Sequence, residues 1–367
     1  DLRSISLLRI AVAFVLIIDL LIRITDLKIF YTDDGALPRN YLHAYYWNPC
    51  YFSIHNFSGS FYFELFLFIV ELVVAAGLLV GFQTKICTIL SWLLLSSLHN
   101  RNPLVLQGGD DLLRLMLFWG IFLPWNRRYS FDSRKRKNQT VFSRESTFTG
   151  VAVLGYILLI FSVYFFSALL KNAPEWRTDG SALYYAFSLD MIAYPTAKFL
   201  LQYPVLLQVG TYAVAYLELL VPFLLLIPFR TDAMRLTAIL LFAFFHVLIA
   251  STLFVGLFPL IGIVTLIGLI PSAVIDKLEA RAKKIFPSRG KTGVPGYADS
   301  TGSVFLFRGV IQQMVDSVLL FMIIYSLMWN VTNLPFFHYK LNAWLKEPAY
   351  ATRFDQNWGM FAPTVFK

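Results

Sequence analysis

Charge is scarce in this chain. Of its 367 residues only 14% are charged, against 57% hydrophobic and 17% aromatic, where a soluble domain carries about a quarter charged residues. A water-soluble fold of this size has no way to hide so much apolar surface behind so few charges, whereas a bilayer makes that composition stable. Cysteine is scarce as well. Cys50 stands in an aromatic loop and Cys87 inside an apolar run, which argues against a disulfide framework. Nothing nearby would stabilise a thiolate, so both read as structural. The five histidines are scattered, with no His-x-x-x-His and no Cys-x-x-Cys, and no metal site is expected. A Gly-rich phosphate loop, a Gly-x-Ser-x-Gly turn and an internal repeat are all missing.

What the chain does have is a series of long apolar runs. A crossing of the hydrocarbon core takes roughly 17–25 residues. Such runs lie near 5–24, 61–81, 85–100, 110–125, 149–169, 205–228, 235–251, 253–270 and 310–331. The first contains Arg9, Asp19 and Arg23, which a cleavable signal segment would not tolerate, so it reads as a retained helix. An opening Asp1 leaves room for a start upstream, and an end just after NWGMFAP for an external domain downstream.

The net charge of +9 does not point to nucleic acid, because the cations are packed into particular loops. Arg127, Arg128, Arg134, Lys135, Arg136, Lys137 and Arg144 follow the fourth run. Lys277, Arg281, Lys283, Lys284, Arg289 and Lys291 follow the eighth. If every run crosses once, these loops, with Lys85, Arg230 and Arg235, fall on one side, the cytosol by the positive-inside pattern. Attraction to anionic membrane lipids follows. For 235–270, two short helices turning near Ser251 and Thr252 preserve that parity. The expected fold class is therefore all-α: a polytopic transmembrane helical bundle of about nine helices, N-terminus cytosolic, C-terminus external. Residues 1–331 form the transmembrane domain, with basic cytosolic loops 126–148 and 271–309 and a short external segment 332–367. The external parts are rich in aromatics such as Tyr45, Tyr46, Trp47, Tyr184 and Tyr185, the composition of an interfacial belt.

Ionisable residues inside spans are costly and mark a cavity or a mutual pair. Arg9 and Asp19 are about 15 Å apart along the first helix, too far to bridge, while Asp19 and Arg23 are one turn apart and able to pair. Glu64 and Glu71 share a face of the second helix, and the deeper Glu71 needs a partner, for which Arg9 is the candidate. The turn His99-Asn100-Arg101-Asn102-Pro103 and the following Gly108-Gly109-Asp110-Asp111 read as helix capping. Capping does not explain Arg114, so this cluster also reads as part of a polar cavity near the outer face. Lys171 closes the fifth run, where a snorkelling lysine is the ordinary reading. Glu218 and His246 lie in the middle of the sixth and seventh runs.

In this order the segments resemble a known family. LLRIAVAFVLIIDLLIR, YTDDGALPR at 31–39, RNPLV at 101–105, GGDDLLRL at 108–115, YFFSALLKNAPEWRTDG at 164–180, FFHVLIASTLFVGLF at 244–258 and QNWGMFAP at 356–363 resemble the horizontally transferred transmembrane (HTTM) family, whose best-studied class is vitamin K-dependent gamma-glutamyl carboxylase. The resemblance implies that Lys171, five residues before Trp176, is the general base that deprotonates a reduced vitamin K or menaquinol-like quinol for reaction with O2, as in an epoxidase. His246, Arg101 and Asp110 complete the catalytic set. Arg9, Asp19, Arg114, Trp176 and Glu218 are the implied cofactor-binding residues. The carboxylases carry an Asn-His pair where this chain has Gly109-Asp110, and a large luminal domain where it has about 36 residues. Glutamate carboxylation is therefore not the expected activity.

A lysine base must be uncharged, which an apolar wall of Phe165, Phe166, Leu169, Leu170 and Trp176 would favour. Arg101 or Arg114 would hold the developing oxyanion while His246 and Glu218 orient the ring. A carboxylate beside Lys171 would favour its charged form, so this reading requires that Glu218 not touch it. The competing reading is a non-catalytic lipid- or partner-binding module whose buried charges keep helices in register, with Trp344 and Trp358 docking an external protein or peptide. A transporter ranks last, since inverted halves are missing. The expected location is the bacterial inner, cytoplasmic membrane.

Overall fold

A computed structural model of the chain describes residues 1–136, 148–285, 309–362, 364 and 365. Lys137, Arg144, Arg289, Lys291 and Pro363 of the segments singled out above lie outside these. Every apolar run is helical. The longer helices are α1 (Leu2–Thr25), α2 (Phe61–Val80), α3 (Thr84–Arg101), α4 (Gly108–Phe122), α5 (Val151–Leu170), α6 (Pro204–Leu220), α7 (Thr231–Thr252), α8 (Phe258–Leu266), α9 (Ser272–Ile285), α10 (Val310–Thr332) and α11 (Ala343–Thr352). Local chemistry sets several ends. Asp1 caps α1 by accepting from the Arg3 N–H at 2.7 Å. Asp110 accepts from the Gln107 N–H at 2.8 Å where α4 begins, the carboxylate cap expected of GGDD.

Six helices among the described residues are long and apolar enough to cross a membrane by length and composition: α1, α2, α5, Pro204–Leu225, α7 and α10. Phe258–Leu269 together with Ser272–Ala282 would make a seventh, but the two meet at 99°. The count of nine is thus not reproduced on this measure. α3 carries Thr, Ser, His, Asn and Arg along its length, and α4 has 15 residues, about 22 Å of rise. The turn expected near Ser251 and Thr252 lies later, because α7 runs through Thr252. Its end pairs with the loop that precedes α6, Phe254 N–H to Ile192 O at 2.7 Å and Tyr194 N–H to Thr252 O at 2.9 Å. The segment after the eighth run, expected as a loop, begins with helix α9. Ile270 is extended (ψ 124°), as the residue before Pro271 must be, and the chain turns there.

α1 is central, packed on α2, α4 and α8, while α5 packs on α4, α6 and α10. The main core cluster includes Leu8, Leu16, Phe68, Leu98, Met116, Trp119, Ile160 and Phe242, and a second, smaller one gathers Trp176, Phe187, Leu207 and Leu253. The outer helices are buried least, 22% of α7 and 17% of α10. Their exposed Leu240, Phe244, Leu320 and Phe321 form the apolar surface that a bilayer would cover. The C-terminal segment does not hang free. Tyr325 of α10 donates to Leu345 O at 2.5 Å, and Trp329 to Gln356 O at 3.0 Å. Trp358, expected at a docking surface, is buried and donates to Gln356 Oε1 at 3.2 Å. Trp344 is exposed.

Candidate functional site

A charge network joins the far end of α1 to the α3–α4 turn. Arg23 donates to Asp19 at 2.8 Å, as the one-turn spacing predicts, and to Asp110 at 2.5 Å and Tyr31 at 3.0 Å. Arg114, fully buried, donates to Asp111 at 2.7 Å and to Arg353 O at 3.2 Å, and its Nη1 lies 3.0 Å from His99 Nδ1. Arg353 in turn holds Asn100 and, at 3.1 Å, Asp355, and stacks 4.8 Å over Tyr51. Asp19, His99 and Asp110 bring their donor atoms within 4.8 Å of one another. The Arg23 guanidinium already supplies the positive charge between the two carboxylates, so a metal ion would have to displace it.

Lys171 is buried, and its partners contradict the condition set for a base. Its Nζ lies 2.5 Å from Glu218 Oε2 and 2.6 Å from Ser167 Oγ, and 5.1 Å over the Trp176 ring. The carboxylate, the hydroxyl and the ring face thus hold the amine in place. The cause is register. Ser167 stands one turn before Lys171, and α6 packs on α5 with Glu218 facing in. The arginines expected to hold an oxyanion have other partners: Arg114 in the network above, and Arg101 donating to Leu37 O at 2.9 Å, with its Nη2 3.7 Å from Asp33 Oδ1.

His246 and Glu218 do flank one residue, Tyr164, which spacing did not single out. The Tyr164 hydroxyl is 2.8 Å from His246 Nε2, and Tyr164, Ser167 and Glu218 line a common space with Gly108, Phe258, Trp358 and Met360, about 10 Å³ in volume. That is room for about one water. Gly262 permits this arrangement, since a Cβ there would lie 2.2 Å from the His246 ring.

Arg9 is not Glu71's partner. Its guanidinium donates to Leu78 O, Leu79 O, Trp125 O and Tyr129 O at 2.5, 3.0, 3.2 and 2.6 Å, so it caps the end of α2 and ties down the segment after α4. Glu71 instead meets His55, missed from sequence, whose ring nitrogens lie 2.6 Å from Glu64 and 3.2 Å from Glu71. His55 lies in the loop outside the spans. Burial works against its imidazolium, but the two carboxylates outweigh that and raise its pKa to about 9. Its contribution to stability is therefore full below pH 6.5 and is lost as pH rises through about 9, on the order of 3 kcal/mol. The Tm of the wild type should fall between pH 7 and 10, and His55→Gln should flatten that dependence. An unchanged slope would remove His55 as its source.

A larger chamber of about 600 Å³ opens beside the network. Pro103, Leu106 and Asp111 come from the α3–α4 turn, Leu170 from the end of α5, Trp329 and Asn333 from the end of α10, and Arg353, Asp355 and Gln356 from the tail. The tail separates it from Lys171. Gly359 lines the chamber and Met360 the small space behind it, and Phe361 O accepts from Trp176 Nε1 at 2.9 Å. Burial raises the Asp355 carboxyl against the pull of Arg353.

The model of the HTTM domain matches residues 1–271. This chain belongs to the HTTM domain family. The sporulation-delaying protein SdpB of Bacillus subtilis (strain 168) is similar at 26% identity over 209 residues, 55% of this chain and 60% of that protein. The chain thus spans less than two thirds of the curated relative's length. No solved structure matches. With its apolar helices, this HTTM protein is an integral membrane protein. Lys171, Glu218 and His246 fall inside the matched HTTM domain, whereas Trp329, Asn333, Arg353 and Gln356 of the chamber wall follow it.

Proposed function

We propose that this HTTM protein is a membrane module that binds an amphiphilic lipid, quinones included, in the chamber between the α3–α4 turn and the tail. The observation that carries this reading is the chamber itself. Its volume of about 600 Å³ falls in the range of small-molecule sites, roughly 300–1,000 Å³, and such sites pair apolar walls with a few convergent polar groups. Leu106, Leu170, Trp329 and Pro335 supply the first, and Asp111, Arg353, Asp355 and Asn333 the second. The buried charges then act as helix fasteners. Basic segments support an orientation with the start of α1 in the cytosol of a bacterial cytoplasmic membrane. The α9 acids bond Arg3 near that start, and Arg128 N–H donates to Ser6; cationic loops stay inside. The chamber then faces outward, where an external peptide could also reach it.

Menaquinone or phospholipid at a hundred times its Kd should stabilise the purified protein by about 2.7 kcal/mol, read as a rise in Tm. Leu106→Trp, which puts a ring into the chamber, should weaken that binding at least about tenfold. A well-folded sample with no shift for any lipid would sink the proposal.

A second reading follows from the family resemblance and from the burial of Lys171 beside Trp176. Lys171 would take a quinol hydroxyl proton, and quinol with O2 would give quinone epoxide and water. It requires Lys171 to leave Glu218. Oxygen uptake with menaquinol that vanishes in Lys171→Ala would establish it, and no uptake in the wild type would leave the binding module.

A further inference from the structure

We propose that α9 is an in-plane membrane anchor that binds anionic lipid headgroups. Its axis turns 99° from α8, so it leaves the bundle rather than extending a span. Lys277, Arg281 and Lys284 are exposed and, at i, i+4 and i+7, form one stripe. Leu278 and Ile285 are 51% and 70% exposed and, seven residues apart, form an apolar stripe beside it. A basic face flanking an apolar one is the composition of a helix that lies at the headgroup boundary.

The helix's acids do not cancel that charge. Asp276 and Glu279 lie 2.7 and 3.3 Å from Arg3, and Tyr129 donates to Glu279 at 2.6 Å. These contacts fasten α9 to the start of α1 and to the segment after α4, while buried Ile275 faces the protein. The cations and the two apolar side chains are left pointing away from those fastenings. Charge complementarity then selects an anionic headgroup over a zwitterionic one.

The test is hydrogen exchange of residues 272–285 in the whole protein, reconstituted in nanodiscs of phosphatidylcholine alone or with phosphatidylglycerol. Exchange should slow at least about tenfold with the anionic lipid, and the difference should shrink as NaCl is raised, since salt screens exposed charges. The Lys277→Gln/Arg281→Gln/Lys284→Gln variant should show the same slow limit in neither lipid. Should that triple variant unfold, the salt titration of the wild type and Lys277→Gln alone carry the same question. Equal exchange in both lipids, or a lipid difference untouched by salt, overturns the proposal.

Discussion

Glu218→Ala is expected to destabilise the protein by about 3–5 kcal/mol, the cost of leaving a buried cation without its partner. Lys171 has Glu218 at 2.5 Å and Ser167 at 2.6 Å, and the serine alone cannot neutralise it. Replacing both members should be far milder. Lys171→Met/Glu218→Met fills similar volume without charge, and such exchanges are often neutral or stabilising. Unfolding of the two single variants and the double in one detergent gives the coupling energy directly. A Glu218→Ala protein as stable as the wild type would mean that the pair contributes nothing to the fold. If that variant gained quinol oxidation, the carboxylate would be a lock on a base, and the second reading above would return.

Arg9→Met should cost as much, about 4 kcal/mol or more, for a different reason. Hydrogen bonds from a charged group are worth about 1.5–3 kcal/mol each, and Arg9 makes four, all to carbonyl oxygens, of which those of Leu78 and Trp125 are buried. Gly81, at φ 74°, ends α2 in the left-handed turn that leaves those carbonyls within reach. Arg9→Lys should rescue little, because a single ammonium cannot span the fork of a guanidinium. Ligand affinity in the chamber should be unchanged in whatever Arg9→Met protein folds, since Arg9 caps the opposite end of α2 from the turn that lines it. A variant with normal Tm and lost binding would restore Arg9 to a ligand site.

Several parts of the site were legible beforehand because they depend on neighbours in sequence. Asp19 and Arg23 pair across one helical turn. Asp110 caps α4. The polar turn with Asp111 borders a cavity, as its density of charge suggested. Other parts depended on partners far along the chain. Glu218 is 47 positions from Lys171, and no spacing rule connects them. Tyr164 and Ser167 looked like ordinary residues of an apolar run until α6 and α7 were packed against α5. His55 stands in an aromatic loop with no spacing that marks it, and the unanswered charge of Glu71 is the sequence signal that a partner exists. α9 is masked in the sequence by its cations, which are the pattern of a cytosolic loop.

By itself the sequence determined the solvent and the all-helical class. Apolar runs with few charges stabilise helices in a bilayer wherever they occur, because each backbone group must bond within its own segment. Packing decided what the buried charges do. An ion inside a membrane protein is tolerated only with a counter-charge or a set of carbonyls at contact distance, and which group reaches it is set by the rotation and height of neighbouring helices. Two or three residues of register would separate Lys171 from Glu218 and Arg9 from the end of α2. That geometry, absent from the order of residues, is what pairs Lys171 with Glu218 and sets Arg9 on the carbonyls that end α2.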